Sequence, residues 1–286
     1  MKIVVTGATG LTGSALLPVL AGEHEVYALR RPGSEGPSVP GVSWIDQDLS
    51  EPLSDALPPS VDAVIHLAQS RRYREFPGGA VDMFEVNSAT TVRLLHYCWE
   101  AGGSRFVYAS SGAIYPPGPR PVRENDTPKP SNFYAMSKLV GEQVVDEFRD
   151  SLTVATLRFF FIYGPGQRNM LIPGLADKVI GGEPIPVAGE QGIRINPIYV
   201  DDAAAAVVGA LGLEQSGVFN VAGREIVSIA DIANTIGEEV SAVPTFTHGP
   251  VQSDLIADTQ RMRERLATPA VDIRDGLRRM LAAGVW

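Results

Sequence analysis

Three observations predict an α/β fold built on a doubly wound parallel sheet. Short apolar runs alternate with longer stretches of helical periodicity from the first residue onward, the order of a βαβ chain. Several of the runs are apolar on both faces, as strands covered by helices on two sides must be. The first run ends in a glycine-rich turn that opens the first helix, the arrangement found in Rossmann-type sheets.

In chain order, strands are expected over residues 2–6, 25–29, 42–45, 61–67, 105–109 and 154–160. Helical spacing of apolar residues occupies 11–20, 80–101 and 132–149. The pattern loosens after Gly164. Residues 165–190 are rich in Gly and Pro around one helix at 172–180. A strand at 197–200, a helix at 201–213 and a strand at 217–221 follow, then a helix at 228–240, a loop and a C-terminal helix. This predicts a dinucleotide-binding domain over 1–165, with 191–222 returning to it. A smaller, mostly helical substrate-binding lobe is expected from 166–190 and 223–286.

Composition narrows the class. The chain has 286 residues, 44% of them apolar and 20% charged, which suits a soluble globular protein. A net charge of −9 repels phosphate backbones, so nucleic acid is excluded as a partner. The single cysteine, Cys98, allows no intrachain disulfide and stands among Leu94, Leu95 and Trp99 as a packing residue. The N-terminal apolar run is too short for a signal peptide, and the stretch 203–213 is too short to span a bilayer. The expected location is the cytoplasm, with no membrane contact.

The phosphate loop is Thr6-Gly7-Ala8-Thr9-Gly10-Leu11-Thr12-Gly13. Its glycines let the backbone turn tightly and approach a pyrophosphate, which meets the positive end of the helix. The spacing is G-x-x-G-x-x-G. The end of the second strand reads Leu29-Arg30-Arg31, with no acid there to bind the adenosine ribose hydroxyls. An arginine at this place can pair with a 2′-phosphate, so NADP is favoured and NAD is the alternative. Two solvated surface arginines would read the same way. Asp48 is placed to meet the adenine amino group, or to cap its own loop.

Tyr134-Ala135-Met136-Ser137-Lys138 puts a phenol and an ammonium one turn apart on a helix face. A free tyrosine, with a pKa of about 10, is useless as a base at neutral pH, and a nearby cation favours the phenolate. Lysine can also hold the nicotinamide ribose. Tyr108-Ala109-Ser110-Ser111 ends a strand in the middle of the predicted sheet, at the edge where ligands bind. Ser111 there can hydrogen-bond the oxygen that Tyr134 protonates.

These motifs resemble the extended short-chain dehydrogenase/reductase family, in its nucleotide-sugar epimerase/dehydratase branch. The resemblance runs nearly the whole chain: Gly7, Gly10 and Gly13; Asp48-Leu49; His66-Leu67-Ala68; Asn87; Ser110 through Tyr115; Tyr134 to Lys138; Arg158 through Gly166; and Tyr199 to Asp202. It implies that Ser111, Tyr134 and Lys138 are catalytic. It also implies cofactor contacts from Thr9, Leu11, Thr12, Leu67, Ala68, Gln69, Asn87, Ala109 and Phe161. Arg194 is expected to meet a substrate phosphate, with Ser110 and Phe161 also at the substrate. The resemblance further implies a homodimer through helices 80–101 and 132–149.

Three departures shape the expected reaction. Nucleotide-sugar members carry Asn where this chain has Phe161, so an amide donor is replaced by a ring that cannot donate. Gly112-Ala113 stand where sugar dehydratases carry Asp-Glu, which argues against dehydration. Neither a Cys nor a His follows as a second acid–base pair. What remains is a redox epimerase or ketone/alcohol oxidoreductase, on a nucleotide-linked or otherwise anionic sugar. The alternatives are an NADPH-dependent carbonyl reductase of a non-sugar ketone, and a dinucleotide-sensing regulator without turnover. Such sensors lose the Tyr or the Lys, and both are present here. Finally, Ser70-Arg71-Arg72-Tyr73-Arg74 follows the fourth strand at the rim of the expected site. Ser70, Arg72 and Arg74 are substrate-binding candidates, at least one arginine is expected in the cleft, and a solvated basic loop is the other reading. No metal ligand set is expected.

Overall fold

The computed structural model describes residues 1–284. The first half of the chain lays down β1 (Lys2–Thr6), α1 (Leu11–Ala21), β2 (Glu25–Arg30), β3 (Val42–Asp46), β4 (Ala63–His66), α2 (Ala80–Phe84), α3 (Thr90–Glu100), β5 (Arg105–Ser111) and α4 (Phe133–Glu147). The second half adds β6 (Thr153–Phe159), β7 (Ile162–Tyr163), α5 (Leu171–Gly181), β8 (Ile185–Ala188), β9 (Arg194–Ile195), β10 (Ile198–Tyr199) and α6 (Val200–Leu211). It ends with β11 (Gly217–Val221), β12 (Val227–Ser228), α7 (Ile229–Val240), β13 (Phe246–Gly249), α8 (Gln260–Arg265) and α9 (Ile273–Ala282).

Seven strands form one parallel sheet in the order β11-β6-β5-β4-β1-β2-β3. The direction of winding reverses between β1 and β4, which opens a crevice at their carboxyl ends. This is the predicted Rossmann-type sheet. Its central strands are buried on both faces: β4 is buried at every position. One face packs Leu16, Leu17 and Leu20 of α1 against Ala203, Val207 and Leu211 of α6. The other covers Val4, Val64 and Phe106 with Leu94, Leu95 and Cys98 of α3 and Val145 of α4. Cys98 is fully buried in that layer, where burial pushes its thiol up to about 12.

A second apolar cluster gathers Ile172, Leu175 and Ile185 from one stretch with Ile232, Ile236 and Leu277 from another. Three short pairings stitch this region: β7 with β10, β9 with β12, and β8 with β13. The β8–β13 pair joins segments about sixty residues apart, and neither has a period long enough to read from sequence.

The expected helix over 80–101 is not continuous. A π-helical turn, Glu85–Ala89, separates α2 from α3. Such turns insert one residue and re-aim the side chains on them. Here the turn carries Asn87, whose Oδ1 accepts from the Ser70 amide at 2.8 Å and whose Nδ2 donates to Ser137 at 2.9 Å. Among the described residues no helix is long and apolar enough to cross a membrane.

Candidate active site

The cleft along the carboxyl edge of the sheet has a volume of about 710 Å³, within the range of small-molecule sites. The phosphate loop forms its floor. Gly7 has φ +68°, and a Cβ there would come within 2.6 Å of the Ala68 amide nitrogen. Only glycine lets the loop lie directly on the chain leaving β4. No side chain caps the start of α1 at Gly10, so its first N–H groups are left for an anion. Thr9, Leu11, Thr12 and Gly13 complete this wall. The site therefore fits a dinucleotide pyrophosphate.

Arg30, Arg31, Asp48 and Leu49 line one end of the cleft. Arg30 is held by Asp46 at 2.7 Å, with its guanidinium 5.7 Å from the Trp44 ring centroid. Asp48 Oδ1 accepts from both the Ser50 amide, at 2.9 Å, and the Ser50 hydroxyl, at 2.7 Å. That loop bonding holds its carboxyl below the usual range, and it leaves the carboxylate engaged with its own turn.

Ser111, Tyr134 and Lys138 face the middle of the same cleft, beside Leu67, Ala68, Gln69, Ala109 and Phe161. Ser111 is the last residue of β5, and its Oγ accepts from the Ala113 amide at 3.2 Å. Asn132 caps α4 by accepting from the Ala135 amide at 2.9 Å, so the helix starts at Phe133, one residue before Tyr134. Tyr134 donates to Gln69 Oε1 at 2.9 Å. Burial pushes its phenol up to about 12, against a hydrogen bond from Ser111. Lys138 is buried and donates to the Ala109 carbonyl at 2.8 Å. Burial brings its ammonium down to about 7, and Glu142 opposes that fall. The sequence predicted that a cation would lower the tyrosine. In the folded protein burial raises the phenol instead, which keeps it protonated at neutral pH.

One turn beyond Lys138, Glu142 forms a buried ion pair with Arg158 of β6 at 2.6 Å. Ser110 also donates to Glu142, and Arg158 donates to the Tyr115 hydroxyl and to the Glu124 carbonyl. The i, i+4 step from Lys138 to Glu142 was visible in the sequence, but nothing there showed that Arg158 would face it.

Several expected contacts lie elsewhere. Ser110 borders the cleft, but its hydroxyl proton is given to Glu142 and not offered to the cleft. Asn87 is fully buried and braces Ser70 to Ser137, so it is no direct cofactor ligand. Ser70 is buried, its hydroxyl donating to Asp82. Arg72 turns to Glu75 at 2.7 Å. Arg194 is bound through two nitrogens to Asp254, at 2.9 and 2.7 Å, and is not part of the cleft wall. Arg74 does line the cleft, as does Arg71. Residues not singled out from sequence complete the wall: Tyr73, Gln167, Met170, Leu171, Ile172 and Leu255. They come from loops and helix ends, where no periodicity marks a lining residue.

A parallel sheet with a phosphate loop at its switch point, and a serine, tyrosine and lysine meeting above it, defines a dinucleotide-dependent oxidoreductase. The chain belongs to the NAD dependent epimerase/dehydratase family, whose model matches residues 3–222. It is an NAD(P)-dependent enzyme of the extended short-chain dehydrogenase/reductase type. An uncharacterized UDP-glucose epimerase of Bacillus subtilis is 26% identical over 99% of this chain and 97% of the relative. A 2-alkyl-3-oxoalkanoate reductase of Stenotrophomonas maltophilia is 31% identical over 72% of this chain and 64% of the relative. Among solved structures, a UDP-glucuronic acid 4-epimerase from Bacillus cereus in complex with NAD superposes with a TM-score of 0.87. It is 25% identical and covers 99% of this chain and 96% of its own.

Proposed function

We propose that this enzyme moves a hydride and a proton at one carbinol or ketone carbon of a small anionic substrate, with Tyr134 as the proton-transfer group. The observation that carries this reading is the convergence of Ser111, Tyr134 and Lys138 on one cleft with the phosphate loop. When bound, the nicotinamide supplies or accepts the hydride. Ser111 donates to the substrate oxygen and orients it toward the phenol. Tyr134 gives that oxygen its proton in the reductive direction and takes it back in the oxidative one. Lys138 holds the ribose hydroxyls and stabilises the phenolate left after transfer.

Two further features support a single-carbon redox reaction. Asp48 is the only acid in the cleft wall among the described residues, and neither His nor Cys lines it. A dehydration or a proton-abstracting epimerisation needs a second acid–base group that the wall does not offer. For the cofactor, the reading is NADP, with NAD, bound in the solved relatives, as the alternative. Arg31 is exposed at the adenosine end with no carboxylate partner among the described residues, and no acid stands beside it on β2. The domain division expected from sequence belongs to this proposal, with the lobe of 166–190 and 223–286 closing over the substrate. So does a homodimer through α2, α3 and α4, supported by their exposed Val81, Phe84, Trp99 and Met136.

The test is turnover by the purified protein with NADPH and NADH, beside a Tyr134→Phe variant. Loss of the phenol should lower kcat by about 10²- to 10⁴-fold. A variant that keeps full turnover refutes the mechanism. Tightly retained NAD in the purified protein points to redox epimerisation, and an empty site that tightens only with NADPH points to stoichiometric reduction.

A further inference from the structure

The substrate half of the cleft has two unlike walls. On one side runs the loop after β4. Arg72 is neutralised by Glu75, but Arg71 and Arg74 line the cleft and meet no carboxylate among the described residues. Between them Tyr73 packs against Tyr134, with ring centroids 5.5 Å apart. The two arginines therefore share the cleft with Tyr134, flanking the residue that packs on it.

The opposite wall is Phe161, Met170, Leu171, Ile172 and Leu255, none of which carries a charge or a strong donor. Gln167 adds a polar atom there, but its amide nitrogen is committed to the Ile162 carbonyl at 2.8 Å and its Oε1 is buried without a partner. That oxygen accepts and repels phosphate. Arg168, next to Gln167, is exposed and not part of the cleft wall, and Arg194 is locked onto Asp254 outside the cleft. The loop and the apolar wall touch at the rim, where Tyr73 donates to the Met170 sulfur at 3.2 Å. A diphosphate laid along this wall would lose water without gaining donors.

We propose that the substrate is a compact oxo or hydroxy acid with an apolar chain, not a nucleoside-diphosphate sugar. Its carboxylate is gripped by Arg71 and Arg74, and its chain lies along Phe161, Met170, Leu171 and Leu255. This rests on the catalytic reading above and narrows its substrate. The arginines bind the acid end while Ser111 and Tyr134 act on the neighbouring carbonyl or carbinol.

The experiment compares 3-hydroxydecanoate, its methyl ester, shorter and longer homologues, and UDP-glucose, each with NADP and NAD. The acid should show a KM about ten- to a hundredfold below that of the ester. KM should fall roughly three- to fourfold per added CH₂ until the wall is covered. Arg71→Ala and Arg74→Ala should each raise KM for the acid and erode its preference over the ester, with Arg74→Lys restoring part of it. Equal KM values for acid and ester, no dependence on chain length, or turnover of UDP-glucose in place of the acids overturns the proposal. If nothing turns over, saturation-transfer NMR with NADP-loaded protein decides. Binding of 3-hydroxydecanoate that weakens in Arg71→Ala supports it, and absence of binding overturns it. UDP-glucose turnover abolished in Tyr134→Phe would sink this inference while sparing the catalytic reading; turnover that survives Tyr134→Phe would sink the catalytic reading.

Discussion

Lys138 sits between two opposing influences. Burial disfavours its ammonium and brings the pKa to about 7, while Glu142 one turn away favours the charged form. Tyr134, held up near 12, stays protonated throughout the neutral range. Reduction needs both the phenol proton and the ammonium. Its kcat/KM should therefore be flat below about pH 7 and fall as the pH rises past it, as Lys138 loses its proton. A pH–rate profile checks this. Glu142→Gln should move the midpoint down, because the charge favouring the ammonium is gone. His66 gives a second residue-scale prediction. It is fully buried, its Nδ1 lies 2.7 Å from Thr6 Oγ1, and its Nε2 has no partner. Burial, aided by the charge of Lys138, lowers its pKa to about 3. Below pH 6.5 the unfolded chain binds a proton that the folded chain refuses, so stability falls as the pH drops from 6.5 toward 3. By pH 4.5 this loss is about 3 kcal/mol. Urea unfolding of His66→Gln should show a correspondingly shallower loss between pH 6.5 and 4.5.

The central element is α4, which carries Tyr134 and Lys138 and must lie close to β5. Gly141 permits the approach: a Cβ there would meet the Tyr108 hydroxyl at 2.0 Å. The Glu142–Arg158 pair then ties α4 to β6 across the same edge. Both partners are buried, so removing one strands the other's charge. Arg158→Met should destabilise the fold by about 3–5 kcal/mol in chemical denaturation. The double variant Glu142→Gln/Arg158→Met should recover part of that loss, since no lone charge remains. If the single and double variants unfold alike, the pair is not what fastens α4. The π turn before α3 plays a parallel part. By re-aiming Asn87 it fixes both the start of the arginine loop at Ser70 and the helix residue preceding Lys138.

At the scale of the whole molecule, the sheet and the second apolar cluster meet at the cleft. The sheet contributes the catalytic side, and α5 with the segment around Leu255 contributes the apolar side. The outer face of α2, α3 and α4 leaves large apolar side chains in solvent, with Val81 at 77% and Trp99 at 54% exposure. Exposed apolar side chains on these helices support the homodimer proposed above. Phe84→Glu together with Trp99→Glu should convert a dimer to a monomer in sedimentation equilibrium with the far-UV spectrum retained. A wild-type protein that sediments as a monomer removes that proposal.

Much of this enzyme was legible before folding was considered. Alternation of apolar runs set the sheet, the glycine triplet set the turn into α1, and the tyrosine–lysine spacing pointed to the proposed proton-transfer group. These are local signals: each depends on residues within one or two turns or on a strand's own period. Tertiary structure decided the rest, because it depends on partners distant in sequence. Arg194 and Arg72 look like ligand-binding arginines until Asp254 and Glu75 are found beside them. Ser110 and Ser111 are neighbours with the same chemistry, and only the pleat sends one to Glu142 and the other to the cleft. The Tyr134 phenol, expected to be lowered by a nearby cation, is instead raised by burial, since pair spacing is local while desolvation belongs to the whole fold.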